Sequence, residues 1–140
     1  MRIQDVMTDE IVTISAEANV AEAREKLRLN RIRHLVVIEN RRVVGVLSDR
    51  DLAHRSDDLR IGEVMTKHVA TISPRATLRQ AAARLEGRTI DCLPVMNRGE
   101  LAGIVTTSDL MRALANGAHP APSAERYILR KRGPRKRPVS

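Results

Sequence analysis

Chemistry in a protein needs particular side chains at particular spacings, and this 140-residue chain is sparing with them. Its four histidines, His34, His54, His68 and His119, stand at no metal-ligand spacing, so no metal site is expected. The single cysteine, Cys92, can neither close a disulfide within the chain nor complete a cysteine-rich zinc site. It falls in an apolar run and reads as a small core residue rather than a nucleophile. No nucleophile stands with its base, no acids are paired, and no GxxxxGKS/T phosphate loop is present, so no catalytic apparatus is expected. What recurs is a hydroxyl followed three residues later by an acid: Ser48 with Asp51, and Thr106 with Asp109. Such a pair caps a helix, the hydroxyl accepting a free N–H while the acid complements the helix dipole.

The two pairs lie 58 residues apart, and so does much else. Ile3-Gln4-Asp5-Val6-Met7-Thr8 aligns with Ile61-Gly62-Glu63-Val64-Met65-Thr66, and Thr13-Ile14-Ser15 with Thr71-Ile72-Ser73. Without a gap, 16 of the 52 positions from Ile3 to His54 are identical to their partners, which makes the chain two copies of one unit. The copies divide into residues 1–58 and 59–116, with the polar run Arg55 to Arg60 as linker, and 117–140 remain as a tail. Each copy reads as β-α-β-β-α. A β-branched run (Ile11 to Ile14; Val69 to Ile72) precedes a helix opened by Asn19 with Glu22, or Thr77 with Gln80, both capping-box spacings. Apolar residues follow at helical spacing, Val20, Ala23 and Leu27 or Leu78, Ala81 and Leu85, and the second helix is expected to stop at Gly87. Two strands come next, His34 to Ile38 and Val43 to Leu47, or Cys92 to Met96 and Leu101 to Val105, joined by four-residue hairpin loops. A last helix begins after Ser48 or Thr106. Met7 and Met65 hold equivalent positions, as core residues would. A single unit of about 55 residues would be marginal alone. Two copies packed sheet against sheet would share one core.

Composition places the chain among globular proteins, 42% hydrophobic and 30% charged, with one aromatic residue, Tyr127, so the core must be aliphatic. The formal charge of +8 is uneven: residues 117–140 hold seven bases and one acid, and only +2 belongs to the rest. With four of the six prolines, that tail is expected to be a flexible arm. The lone cysteine, the acidic N-terminal region and the lack of a long apolar run suggest a cytoplasmic protein with no transmembrane segment.

Taken in order and twice over, the motifs D/E-V-M-T, T-I-S, A-N-V-A-E-A or A-T-L-R-Q-A, L-V/P-V and G-h-h-S/T-x-x-D-L (h apolar) resemble the cystathionine-β-synthase (CBS) domain family. The resemblance covers Ile3 to about Asn116. It implies an α+β fold in which two β-α-β-β-α motifs pair by pseudo-two-fold symmetry into one module, with clefts between them that bind AMP, ADP, ATP or S-adenosylmethionine. Carried onto this chain, Asp51 and Asp109 would accept the ribose hydroxyls. Ser48 and Thr106 would meet a phosphate. The backbones of Thr13, Ile14, Thr71 and Ile72 would meet the adenine edge. The copies differ beside the phosphate, where Arg33 and Arg50 stand in the first against Asp91 and Ser108 in the second, so the first is expected to hold the more phosphorylated ligand. The helix-cap reading of both hydroxyl and acid pairs stays open beside this one, as does a solvated or ion-paired role for the arginines.

The function so implied is a regulatory, adenine-nucleotide-sensing module, not an enzyme, with no catalytic cofactor, a nucleotide as regulatory ligand and possible Mg with ATP. Such modules pair through their helices, so a homodimer is implied. A different class of function rests on the tail: a nucleic-acid-binding or scaffold protein gripping a polyanion, an acidic protein or an anionic membrane surface, with Tyr127 stacking on a base. A merely solubilising terminus is the third alternative.

Overall fold

The computed structural model describes residues 1–67, 70–88 and 90–117. The expectation of a flexible basic arm therefore lies outside the described residues, as do His68, Val69, Thr89 and His119. In chain order the elements are α1 (Ile3–Val6), β1 (Thr13–Ser15), α2 (Val20–Asn30), β2 (His34–Glu39), β3 (Arg42–Ser48), α3 (Asp49–Leu52), α4 (Ile61–Val64), α5 (Leu78–Arg88), β4 (Cys92–Asn97), β5 (Glu100–Thr106) and α6 (Thr107–Ala115). The chain is α+β; after the short α1 the first copy has the expected β-α-β-β-α order, and after the short α4 the second has α-β-β-α. Both long helices begin where the caps predict. Asn19 accepts from the Glu22 N–H at 2.9 Å, and Thr77 and Gln80 exchange both hydrogen bonds of a capping box. α5 runs one residue past the expected stop at Gly87.

Packing divides the chain into two units whose bounds differ from those of the sequence repeat. The first unit is Glu10–Ala70; the second joins Met1–Asp9 to the chain from Thr71 onward. Each unit thus takes the opening segment of one copy and the remainder of the other. In the first unit Ile61 and Gly62 donate their N–H groups to Ala18 and Ala16 carbonyls at 2.8 and 3.0 Å. In the second, Ile3 and Gln4 donate to Ala76 and Pro74, both at 2.9 Å, at the equivalent repeat positions. Ile3 and Ile61 are completely buried.

In the first unit β1 runs parallel to β2, which pairs antiparallel with β3, and Thr66 exchanges hydrogen bonds with Val46 on the outer edge of β3 at 2.8 and 3.1 Å. One face of α2, through Val20, Ala23 and Leu27, covers Leu35, Val37 and Leu47, and Ile61 and Val64 close the same aliphatic core. The second unit repeats the hairpin as β4 and β5, and Thr8 bonds to Ile104 as Thr66 does to Val46. Of the expected strand at Val69 to Ile72, Val69 lies outside the described residues and the remainder forms one bridge, Ile72 with Val95. Proline accounts for this. Val36 donates its N–H to Val12 at 3.2 Å, extending the β1 ladder, whereas its counterpart Pro94 has no N–H to donate.

One further correction is local. The hairpin loops have two residues rather than four, because Glu39 pairs with Arg42 and Asn97 with Glu100. Asn40 and Arg41, like Arg98 and Gly99, have positive φ at both positions, the turn whose twist matches the strands. The last helix of the first copy is only four residues long, against nine for α6. The Arg24 guanidinium takes the Leu52 and Arg55 carbonyls at 2.8 Å each and pairs with Asp57, turning the chain where α6 continues; its repeat counterpart, Ala82, cannot.

Candidate functional site

Each set of predicted ligand residues falls within one unit. In the first, β1 and α3 stand at the same end of the sheet. Thr13 is level with Val36 and, across β2, with Val46, two residues before Ser48. Ordinary sheet spacing then separates Thr13 from Ser48 by about 12 Å. Ser48 is buried and caps α3, its backbone N–H donating to Asp51 Oδ2 at 2.7 Å and its hydroxyl accepting from the Asp51 N–H at 3.4 Å. The Ser48 hydroxyl also lies 3.3 Å from Oδ2. Every described bond of the Asp51 carboxylate is to this one oxygen; no described residue donates to Oδ1. Arg33 and Arg50 are both exposed beside it, and the Arg33 carbonyl accepts the Asp49 N–H at 3.0 Å. His34, Arg50 and Asp91 each have partners of their own.

The second unit has the same cap with a different outcome for its acid. Thr106 donates to Asp109 Oδ2 at 2.9 Å and accepts from the Asp109 N–H at 3.1 Å. Oδ1 is then held by the Arg112 guanidinium at 3.1 Å, with the Thr8 hydroxyl at 3.5 Å, and Asp109 is only 6% exposed. The backbone differs too. Ile72 turns its N–H and C=O to β4, so Thr71 faces the free edge, where its carbonyl accepts a hydrogen bond from Arg84. Thr13 and Ile14 alternate in the same sense along β1, and no described residue donates to the Thr13 carbonyl.

Sequence reasoning selected the acids and hydroxyls and missed Arg112, Arg84 and Thr8. Arg112 was findable, standing three residues after Asp109 on a helix, where side chains meet. Thr8 was not, being 101 residues away in sequence. The helix-cap reading holds in both copies, and it consumes N–H groups expected to meet a phosphate: Asp49 donates to Arg33, Thr107 to Asp91 at 3.1 Å, and Asp51 and Asp109 to their capping hydroxyls. The glycines that open the two G-h-h-S/T motifs admit another stretch of chain: Met65 and Thr66 lie against Gly45, and Met7 and Thr8 against Gly103.

Cys92, paired with Thr106 across the hairpin, is 2% exposed. Burial first, then the charges of Asp91 and Asp109, push its thiol up to about 12. At pH 8 it should therefore resist iodoacetamide in the folded protein and react promptly in urea; prompt labelling without denaturant would contradict its burial. An unfolded thiol ionises near pH 8.5 (roughly), so the unfolded state releases its proton first. Stability from this group is complete below that pH and declines towards pH 12, by about 1.4 kcal/mol per unit at most.

Among the described residues no helix is long and apolar enough to cross a membrane. The family model for the CBS domain matches residues 3–58 and 61–116. An inosine-5'-monophosphate dehydrogenase of Korarchaeum cryptofilum is 33% identical over 111 residues, which are 78% of this chain; the match spans only 23% of that enzyme. Of solved structures, CBSX2 in complex with AMP is similar with a TM-score of 0.69 and 26% identity, covering 81% of this chain and 95% of that one. The cytosolic domain of the Mg2+ channel MgtE in complex with ATP gives 0.67 and 29%, covering 77% and 46%.

Proposed function

Because the chain belongs to the CBS-domain family, with two of its repeats in tandem, we propose that it is a regulatory module that binds an adenosine-containing ligand and has no catalytic role of its own. Two relatives of the same fold hold AMP and ATP, which supports the ligand class. The observation that carries the reading is Asp51. Its carboxylate is fixed through Oδ2 by the Ser48 cap and keeps Oδ1 without a described donor, so it can accept ribose hydroxyls without dismantling the fold. The edge carbonyl of Thr13 suits an exocyclic amine, and Arg33 and Arg50 bring positive charge for a phosphate. With Arg33 replaced by Asp91 in the other copy, the first unit is the one for the more phosphorylated ligand.

Binding acts by favouring one of two states, read out as a conformational change or a change of assembly into a homodimer. Isothermal titration with AMP and ATP tests the site. Asp51→Asn should weaken binding tenfold to a hundredfold, since a hydrogen bond to a charged group is worth about 1.5–3 kcal/mol, while leaving the thermal midpoint nearly unchanged. Unaltered affinity would remove Asp51 from the site. The seven bases of residues 117–140 support a second role in holding a polyanion or an acidic partner. Truncation at Gly117 should then abolish salt-sensitive retention on heparin; retention that persists would exclude the tail.

A further inference from the structure

We infer that an exposed apolar stripe on α6 is a docking surface for the chain's own Tyr127-Ile128-Leu129, which holds one short segment of the basic tail against that helix. The inference is independent of the nucleotide-binding reading. Leu110 and Ala113 bury one face of α6, and Asp109 is fixed through Thr106 and Arg112. Beside that face the helix is bare. Met111 is 61% and Leu114 48% exposed; three residues apart, they are neighbours on the helix surface, with Ala115 exposed on the same stripe. Of the four large hydrophobic side chains exposed among the described residues, only these two share an element.

The chain itself points to the occupant. At the end of α6 Gly117 has φ 93 and donates its N–H to the Leu114 carbonyl at 3.0 Å, a left-handed turn that takes the chain off the helix axis beside the stripe. Residues 118–140, outside the described residues, contain one run of three large apolar residues, Tyr127-Ile128-Leu129, between Arg126 and Arg130-Lys131-Arg132. Residues 118–126 join that run to Gly117, and a connection of this length spans up to about 30 Å. Met111 lies only about 9 Å back along the helix. Such a tether holds the run near the stripe at an effective concentration of about 1 mM. A second copy at micromolar concentration has no such advantage, and a stable dimer needs about 800 Å² from each partner, more than two side chains supply. Docking takes the apolar run out of water and leaves the flanking cations in it.

Tyr127 is the only aromatic residue, so tyrosine fluorescence of the full chain reports on this segment alone. A ring docked half the time or more should be quenched by acrylamide, a neutral probe, at least about twofold more weakly than in urea. Met111→Ser/Leu114→Ser changes only exposed side chains, and Ile128→Ser/Leu129→Ser leaves every described residue in place. Each should raise quenching to the value in urea, with the circular dichroism of the wild type retained. A third variant reads the other side of the contact: Tyr127→Ser removes the ring and should shift the Met111 methyl resonance. Quenching in the wild type as strong as in urea, protection that survives either double substitution, or a Met111 resonance unmoved by Tyr127→Ser would overturn the docking. Protection that disappears on dilution, with a matching change in size-exclusion elution, would overturn it too and assign the stripe to a second copy.

Discussion

Ile3→Ala is expected to cost about 2–5 kcal/mol of stability, as much as the same change at Ile61. Ile3 does not stand free: it is completely buried, its N–H is bound to Ala76, and two residues after α1 Thr8 is bonded to β5. It does for the second unit what Ile61, inside the core with Val20 and Leu35, does for the first. Urea unfolding of the two variants checks this. If Ile3→Ala stayed within about 0.5 kcal/mol of the wild type while Ile61→Ala did not, the opening segment would be an ornament and not part of the core.

Gly45→Ala and Gly103→Ala should each be destabilising by about 1–3 kcal/mol, the usual cost of overpacking, although the added group is one methyl. A Cβ at position 45 would lie 2.5 Å from Met65 Sδ and 2.9 Å from the Thr66 carbonyl oxygen; at 103 it would lie 2.7 Å from the Thr8 oxygen and 3.0 Å from Met7 Sδ. The thioethers can swing aside. The carbonyls cannot, because Thr66 and Thr8 are tied to Val46 and Ile104 by two backbone hydrogen bonds each. Met65→Ala should therefore recover only part of the loss in Gly45→Ala. Gly87 supplies the control. Nothing lies within 4 Å of its Cβ position in α5, so Gly87→Ala should be neutral or stabilising by up to about 1 kcal/mol. Equal effects at all three glycines would refute the close crossing.

Much of this was legible in advance because it is local. Asn19, Thr77, Ser48 and Thr106 sit at the helix starts their side chains announce, and Val20, Ala23 and Leu27 fall on the buried face. The acids at 51 and 109 were equally legible, though not the difference between them, which depends on Arg112 and on a threonine from the far end of the chain. The unit bounds were hidden for a related reason. A repeat records which segments are alike, whereas Met7 over Gly103 is a contact between unlike segments, and no alignment of a copy with its twin contains it. Pro94 is an intermediate case: its missing N–H could be read from one letter, but its effect needed the parallel ladder beside it.

The division of each unit between two stretches of chain also sets a schedule for synthesis. All parts of the first unit, Glu10 to Ala70, are made in succession, so it can fold once Thr66 has reached β3. The second cannot follow the same order. Met1–Asp9 is made early and has its partners only when β5 and α6 have followed, some hundred residues later, which at cellular elongation rates is about 5–20 s. Through that interval an isoleucine destined for complete burial waits without its core.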